Sequence, residues 1–169
     1  MAGVGKSAIA RRLGTRLGRE TFDVDGSVVK SRGEPITAIF EHLGESGFRD
    51  LESEQLLVAI DSPEPLVIAT GGGIIERPAN RQTLAEHCDV IWLSASDAVL
   101  ADRLRNSSVK RPLLEGDLVA NLARLNAARS ALYSELAHAE VPVGDLDLDQ
   151  ATDAVIAHLD NLHHVGGLA

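Results

Sequence analysis

Near its start the chain carries Gly3-Val4-Gly5-Lys6-Ser7, and these five residues restrict the possible folds more than anything that follows. They match the closing half of the phosphate-binding motif G-x-x-x-x-G-K-[ST]. Glycines in such a loop let successive backbone N–H groups turn inward toward phosphate oxygens. The lysine reaches the β- and γ-phosphates, and the hydroxyl that follows it ligates Mg²⁺. A helix must carry the loop away, because its N-terminal end adds positive potential where the anion sits. Ile9, Leu13 and Leu17 recur at helical spacing and predict that helix over about Lys6 to Leu17. Gly3, Val4, Gly5, Lys6, Ser7 and Ala8 are therefore candidate nucleotide contacts, in a nucleotide-binding kinase or another NTPase. The opening glycine of the motif would stand just ahead of Met1, as would the strand that anchors the loop. A start-site or fragment boundary that removes the first strand is the expectation.

Downstream, short apolar runs alternate with amphipathic segments. Thr21 to Asp25 reads as a strand ending in two carboxylates, followed by a helix from about Gly26 to Ser31 with Gly33 as its stop. Pro35 opens a helix through Ile36, Ile39, Phe40 and Leu43, Gly44 breaks it, and a further helix runs from about Ser46 to Ile60. Leu66 to Ala69 and Val90 to Leu93 are continuous apolar runs, as expected of strands buried on both faces. Between them lie Gly71-Gly72-Gly73 and a helix from about Pro78 to His87. Helices follow at about Ser96 to Arg105 and Asp117 to Ala139, then an edge strand Val141 to Val143 and a helix from Gln150 to about His163. This order predicts a three-layer α/β fold with a parallel sheet of four encoded strands. One domain spans residues 1–169, with substrate-binding helices at about 26–60 and a polar lid at about 106–116.

Composition narrows the function classes. A net charge of −9 argues against non-specific nucleic-acid binding, which needs a basic face. No apolar run approaches the roughly 20 residues of a membrane span, and no signal-peptide pattern opens the chain. Cys88 is the only cysteine, which excludes an internal disulfide and reads as a small buried hydrophobe. The six histidines show no metal-ligand spacing. A cytoplasmic monomer that binds anionic metabolites through converging arginines is the expectation.

Several motifs then fall in a telling order: the phosphate loop, Asp23-Val24-Asp25, Phe48-Arg49-Asp50-Leu51-Glu52, Gly71-Gly72-Gly73, Arg111-Pro112-Leu113-Leu114, and Arg129 one helical turn before Tyr133. Taken singly, each has an ordinary reading: a solvated strand end, a glycine loop, or Arg49 paired with Glu52 or Asp50 on its own helix. In this order they closely resemble shikimate kinase over nearly the whole chain. The resemblance implies transfer of the γ-phosphoryl group of ATP to the 3-hydroxyl of shikimate, with Mg²⁺ as cofactor, in aromatic amino-acid biosynthesis. It implies that Arg49 and Arg129 bind the substrate carboxylate and that Asp25 accepts hydrogen bonds from the ring hydroxyls. Gly71, Gly72 and Gly73 would let the backbone approach the ring. Asp23 would sit near the metal with Ser7, Lys6 would act on the phosphates, and Arg111 would close on them from the lid. Arg105 matches the arginine that stacks on adenine, with Arg103 as the competitor.

In that family the absent first strand lies in the middle of the sheet, so two strands here would lack a common ladder partner. The chain as it begins is expected to be impaired as a phosphotransferase. Two other readings stand beside this one: a gluconate-type metabolite kinase, and a shikimate-kinase-like ligand-binding module of a regulator. The first gives no reason for Arg49 and Arg129 together with the triple glycine. The second could dispense with Lys6, Asp25 or the glycines, and this chain keeps them all.

Overall fold

The computed structural model describes residues 1–106, 112–114 and 116–166. The predicted alternation of strands and helices is present. Helix α1 (Lys6–Leu17) leads to β1 (Glu20–Asp23), α2 (Val24–Arg32) and α3 (Ile36–Ile60). Strand β2 (Leu66–Ala69), α4 (Pro78–His87) and β3 (Ile91–Ser94) follow, then α5 (Asp97–Arg105), α6 (Leu118–Leu136), β4 (Ala139–Pro142) and α7 (Leu148–Gly166). Short 3-10 turns cover Ile74–Glu76 and Pro112–Leu114. The break foreseen at Gly44 is a single non-helical residue within α3, with φ 66°.

The strands form two parallel pairs. Glu20 to Asp23 of β1 lie opposite Leu66 to Ala69 of β2, and Ile91 to Ser94 of β3 lie opposite Ala139 to Pro142 of β4. The two pairs are separate sheets. A cavity of about 610 Å³ lies between them, walled by Val67 and Ile68 of β2, Ile91 and Trp92 of β3, and Leu13 and Leu159 from the helices. The expected loss of a shared ladder partner thus takes a definite form. It also corrects one expectation: β2 and β3 are not buried on both faces. In each, only the last residue is fully buried, because the neighbouring side chains line the cavity.

The same gap divides the core. One cluster, including Val4, Ile9, Leu100, Leu122 and Val141, holds α1, α5, α6 and β4 together. A second joins Leu56, Ile74, Ile75, Leu84 and Tyr133, and a third packs Val28 of α2 against Ile39 and Phe48 of α3. Helix α1 buries its apolar stripe against β1 and β2 and α7 packs on β4, while α3 packs mainly on α2 and α5 on α6, which is one-sided burial of the kind the periodicity in the sequence encodes. Because β1 and β2 run parallel, their carboxyl ends deliver Asp23 and the triple glycine to the same end of the sheet. Ligands in open α/β folds bind at that end.

Candidate active site

The phosphate loop is shaped by its glycines. Gly3 has φ 78° and Gly5 has φ 94°, a left-handed backbone that side chains with a Cβ rarely adopt. Space forbids a side chain at Gly3 as well, since a Cβ there would lie 2.9 Å from Leu104 Cγ and 3.3 Å from the Leu100 carbonyl. Val4 is 1% exposed and pins the loop to the core between these two glycines. Gly5 caps α1 without a side-chain hydrogen bond, and the first turn holds no acidic residue. The N-terminal end of α1 therefore offers its positive potential to an anion. Lys6 Nζ donates to the Met1 carbonyl at 2.6 Å, which folds the side chain back over the loop. Ser7 Oγ donates to Asp23 Oδ2 at 2.6 Å.

Asp23 caps α2, its Oδ1 accepting from the Gly26 N–H at 3.0 Å. Strand β1 therefore ends at Asp23, and Asp25 lies in the first turn of α2 rather than on the strand as expected. The side-chain cap decides this, because it starts the helix two residues early. Asp25 then faces Gly71 together with Glu52 of α3. A Cβ on Gly71 would overlap Glu52 Oε1 and lie 2.7 Å from Asp25 Oδ1. At Gly73 a Cβ would overlap the Arg49 guanidinium. The glycines were expected to admit a ligand ring. In this structure Gly71 and Gly73 are seats for the site's own carboxylates and arginine.

Arg49 and Arg129 converge from α3 and α6, each 7% exposed. Arg49 pairs with Glu52 through Nη1, with Glu45 through Nη2 at 3.0 Å, and with Glu76 through Nε at 3.3 Å. Arg129 Nη2 lies 2.8 Å from the other oxygen of the same Glu76 carboxylate. Tyr133, one turn on, donates its hydroxyl to the Gly72 carbonyl at 2.6 Å and ties α6 to the glycine loop.

Burial dominates the electrostatics. It pushes the Asp25 carboxyl up; Lys6 pulls it back and the Asp23 charge pushes it up again. It pushes Glu52 up to about 7 against the pull of the Arg49 guanidinium. Asp25 Oδ1 and Glu52 Oε1 are both buried without a donor among the described residues. One proton held between the two carboxyls satisfies both oxygens. Burial works against the Arg49 charge too, and the surrounding glutamates more than offset it. Burial also pushes the Tyr133 phenol up to about 12, which keeps it a donor to Gly72.

A stability prediction follows from Glu52. Between its ordinary value of 4.5 and about 7, the folded protein holds a proton that the unfolded chain has released. Stability must therefore fall as pH rises through that window, by at most about 3 kcal/mol. Glu52→Gln should flatten the slope, as read from thermal melts at about pH 5 and about pH 8.

A cation site is possible where Ser7 and Asp23 meet. Both supply hard oxygen ligands, as Mg²⁺ requires. No group of three or more His, Cys, Asp or Glu able to hold a metal occurs among the described residues. Most ligands of such an ion would have to be phosphate oxygens and water, which is the usual condition of Mg²⁺ at nucleotide sites.

A family model described as shikimate kinase matches residues 2–160. The chain belongs to the shikimate kinase family. Its relative in Dechloromonas aromatica, named shikimate kinase, is 40% identical over 82% of this chain and 75% of that protein. A solved structure of shikimate kinase from Acinetobacter baumannii in complex with shikimate superimposes with a TM-score of 0.83 at 32% identity, covering 99% of this chain and 90% of that one. A gluconokinase from Sinorhizobium meliloti shares the fold alone, at a TM-score of 0.60 and 18% identity, over 95% of this chain and 88% of that one.

Most positions carried over from the shikimate kinase family meet in one place. Lys6, Ser7, Asp23, Asp25, Arg49, Gly71 to Gly73 and Arg129 all cluster at the carboxyl ends of β1 and β2. Arg111 and most of the expected lid lie outside the described residues. Arg103 donates to the carbonyls of Val143 and Gly144 at 3.2 and 2.9 Å, whereas Arg105 is exposed, which leaves Arg105 the better placed toward solvent. The bland pairing of Arg49 with Glu52 is real and coexists with the site, while Asp50 pairs with Arg77 at 2.7 Å. Sequence reasoning passed over Glu76 altogether. It treated Glu52 only as a local partner, although a charged residue on the stripe that includes Phe48 and Leu56 is a visible anomaly. No helix among the described residues is long and apolar enough to cross a membrane.

Proposed function

We propose that this chain transfers the γ-phosphoryl group of ATP to the 3-hydroxyl of shikimate, and that the clustered residues divide that work as follows. The amide groups of the loop, the N-terminal end of α1 and Lys6 bind the phosphates. Ser7 directly and Asp23 through water would hold Mg²⁺, which when bound neutralises charge on the phosphate oxygens. Arg49 and Arg129 bind the substrate carboxylate, arginine's fork being matched to that group. Asp25, beside Gly71 and Glu52, orients the attacking hydroxyl and takes its proton as the O–P bond forms and ADP departs. Arg111 closes on the transferring group from the lid, and Arg105 covers the adenine. Positioning and charge stabilisation account for most of the catalysis in such a transfer, so no covalent intermediate is needed.

One observation carries the substrate assignment: two buried guanidinium groups from different helices meet on a single carboxylate, that of Glu76. A gluconate-type kinase or a regulator's binding module supplies no reason for that convergence beside an intact Lys6 and Asp25. Between the two aspartates, Asp25 is favoured as the base. Both Asp23 oxygens are engaged by donors, Ser7 and Gly26, whereas Asp25 Oδ1 meets only the proton it shares with Glu52 and its other oxygen is left to the attacking hydroxyl. Burial also raises its basicity. The test is Arg49→Ala in steady-state kinetics. The KM for shikimate should rise by about 10- to 100-fold, the scale of a charge-assisted contact, with the KM for ATP nearly unchanged. An equal loss for both substrates would refute the assignment.

A further inference from the structure

The Glu76 carboxylate is a surprising occupant of this pocket. It stands at the end of the 3-10 turn Ile74–Glu76, directly after the triple glycine. One of its oxygens is 2.8 Å from Arg129 Nη2 and accepts from Arg129 Nε at 2.9 Å; the other is 3.3 Å from Arg49 Nε. A small carboxylate bound between the two arginines would use the same donors. We propose that Glu76 is an internal competitor for the substrate carboxylate, so that its side chain must leave Arg49 and Arg129 before shikimate binds and thereby sets substrate affinity. The inference rests on the reading of these arginines as the carboxylate site.

Three features support displacement over permanent pairing. First, the grip is incomplete: Arg49 Nε and Arg129 Nη2 are buried and within ion-pair distance, yet neither makes a hydrogen bond of good geometry. A ligand free to adjust its position can satisfy both donors, whereas a carboxylate tethered to a short turn cannot. Second, Glu76 has somewhere to go. Its side chain is 36% exposed, against 9% and 8% for those of Arg49 and Arg129. Its backbone stays anchored, with its N–H donating to the Gly73 carbonyl at 3.0 Å and its carbonyl accepting from Arg81 at 3.3 Å. Only the side chain need swing. Third, the charges forbid joint occupancy. Arg49 already faces Glu45 as well as the Glu52 carboxyl that shares a proton with Asp25, so with Glu76 in place the carboxylates of Glu45 and Glu76 already balance the two guanidinium charges. A further carboxylate entering that pocket would be repelled.

The experiment measures shikimate binding by calorimetry and turnover by steady-state kinetics for the natural chain, Glu76→Gln, Glu76→Ala and Arg49→Ala, with the carboxamide of shikimate as the uncharged probe. Glu76→Gln should lower both Kd and KM for shikimate about tenfold, the scale of one charge-assisted hydrogen bond. Both kcat and the KM for ATP should stay within about twofold, and affinity for the carboxamide should not improve. Glu76→Ala, which removes the side chain entirely, should reproduce the gain for shikimate. Weaker shikimate binding in the Glu76 variants would overturn the proposal, because Glu76 would then be holding the arginines in their binding geometry. An equal gain for the carboxamide would overturn it too, since Glu76 would then be a steric plug. So would an unchanged Kd, provided Arg49→Ala weakens binding. If Arg49→Ala leaves shikimate binding intact, the carboxylate site itself has been misassigned, a failure distinct from the others.

Discussion

Asp25→Asn is expected to lower kcat by about 10²- to 10⁴-fold, the range in which a positioned base contributes, while leaving the KM for ATP nearly unchanged. The asparagine keeps the shape of the side chain and can still meet a hydroxyl, but it cannot take the proton. Asp23→Asn should behave differently. Asp23 caps α2 and meets Ser7, so its loss should raise the Mg²⁺ concentration needed for half-maximal rate and weaken the start of the helix. Comparing the two variants across a magnesium titration separates the roles. If extra magnesium rescues Asp25→Asn, or if its turnover matches that of the natural chain, Asp25 is not the base.

The second large effect concerns the cavity between the strand pairs. An extended, β-branched segment of about six residues, joined ahead of Met1 and ending in glycine, should raise the melting temperature by on the order of 10 °C. It would lie between β2 and β3 and bond to both, so each of its residues would satisfy backbone groups on two neighbours. Its side chains would pack against Val67, Ile68, Ile91 and Trp92, which now line open space. It should also increase kcat/KM for ATP, by at least about tenfold, because the phosphate loop, held now chiefly by Val4, would gain a rigid strand behind it. Melting curves and nucleotide kinetics with and without the segment decide the matter. A segment that leaves both quantities unchanged would mean the cavity does not accept a strand.

Local features of the chain were legible because local physics decides them. The left-handed glycines of the phosphate loop, Pro78 opening α4, the break at Gly44 and the apolar run Leu66–Ala69 all appear where spacing and residue type put them. Backbone hydrogen bonding and one-sided burial act over a few residues, so their signature is periodic and readable. Boundaries moved where a side chain intervened, as when the Asp23 cap drew Asp25 into α2. By itself, then, the amino-acid sequence determined the order of elements, the nucleotide loop and the set of charged residues available to a site. Tertiary structure alone decided which of those charges meet. Glu76 meets Arg129 of α6, Glu52 is fully buried beneath Gly71, and Gly71 and Gly73 seat Glu52 and Arg49. Pairings between residues far apart in the chain depend on how helices and strands pack, and no local pattern records them.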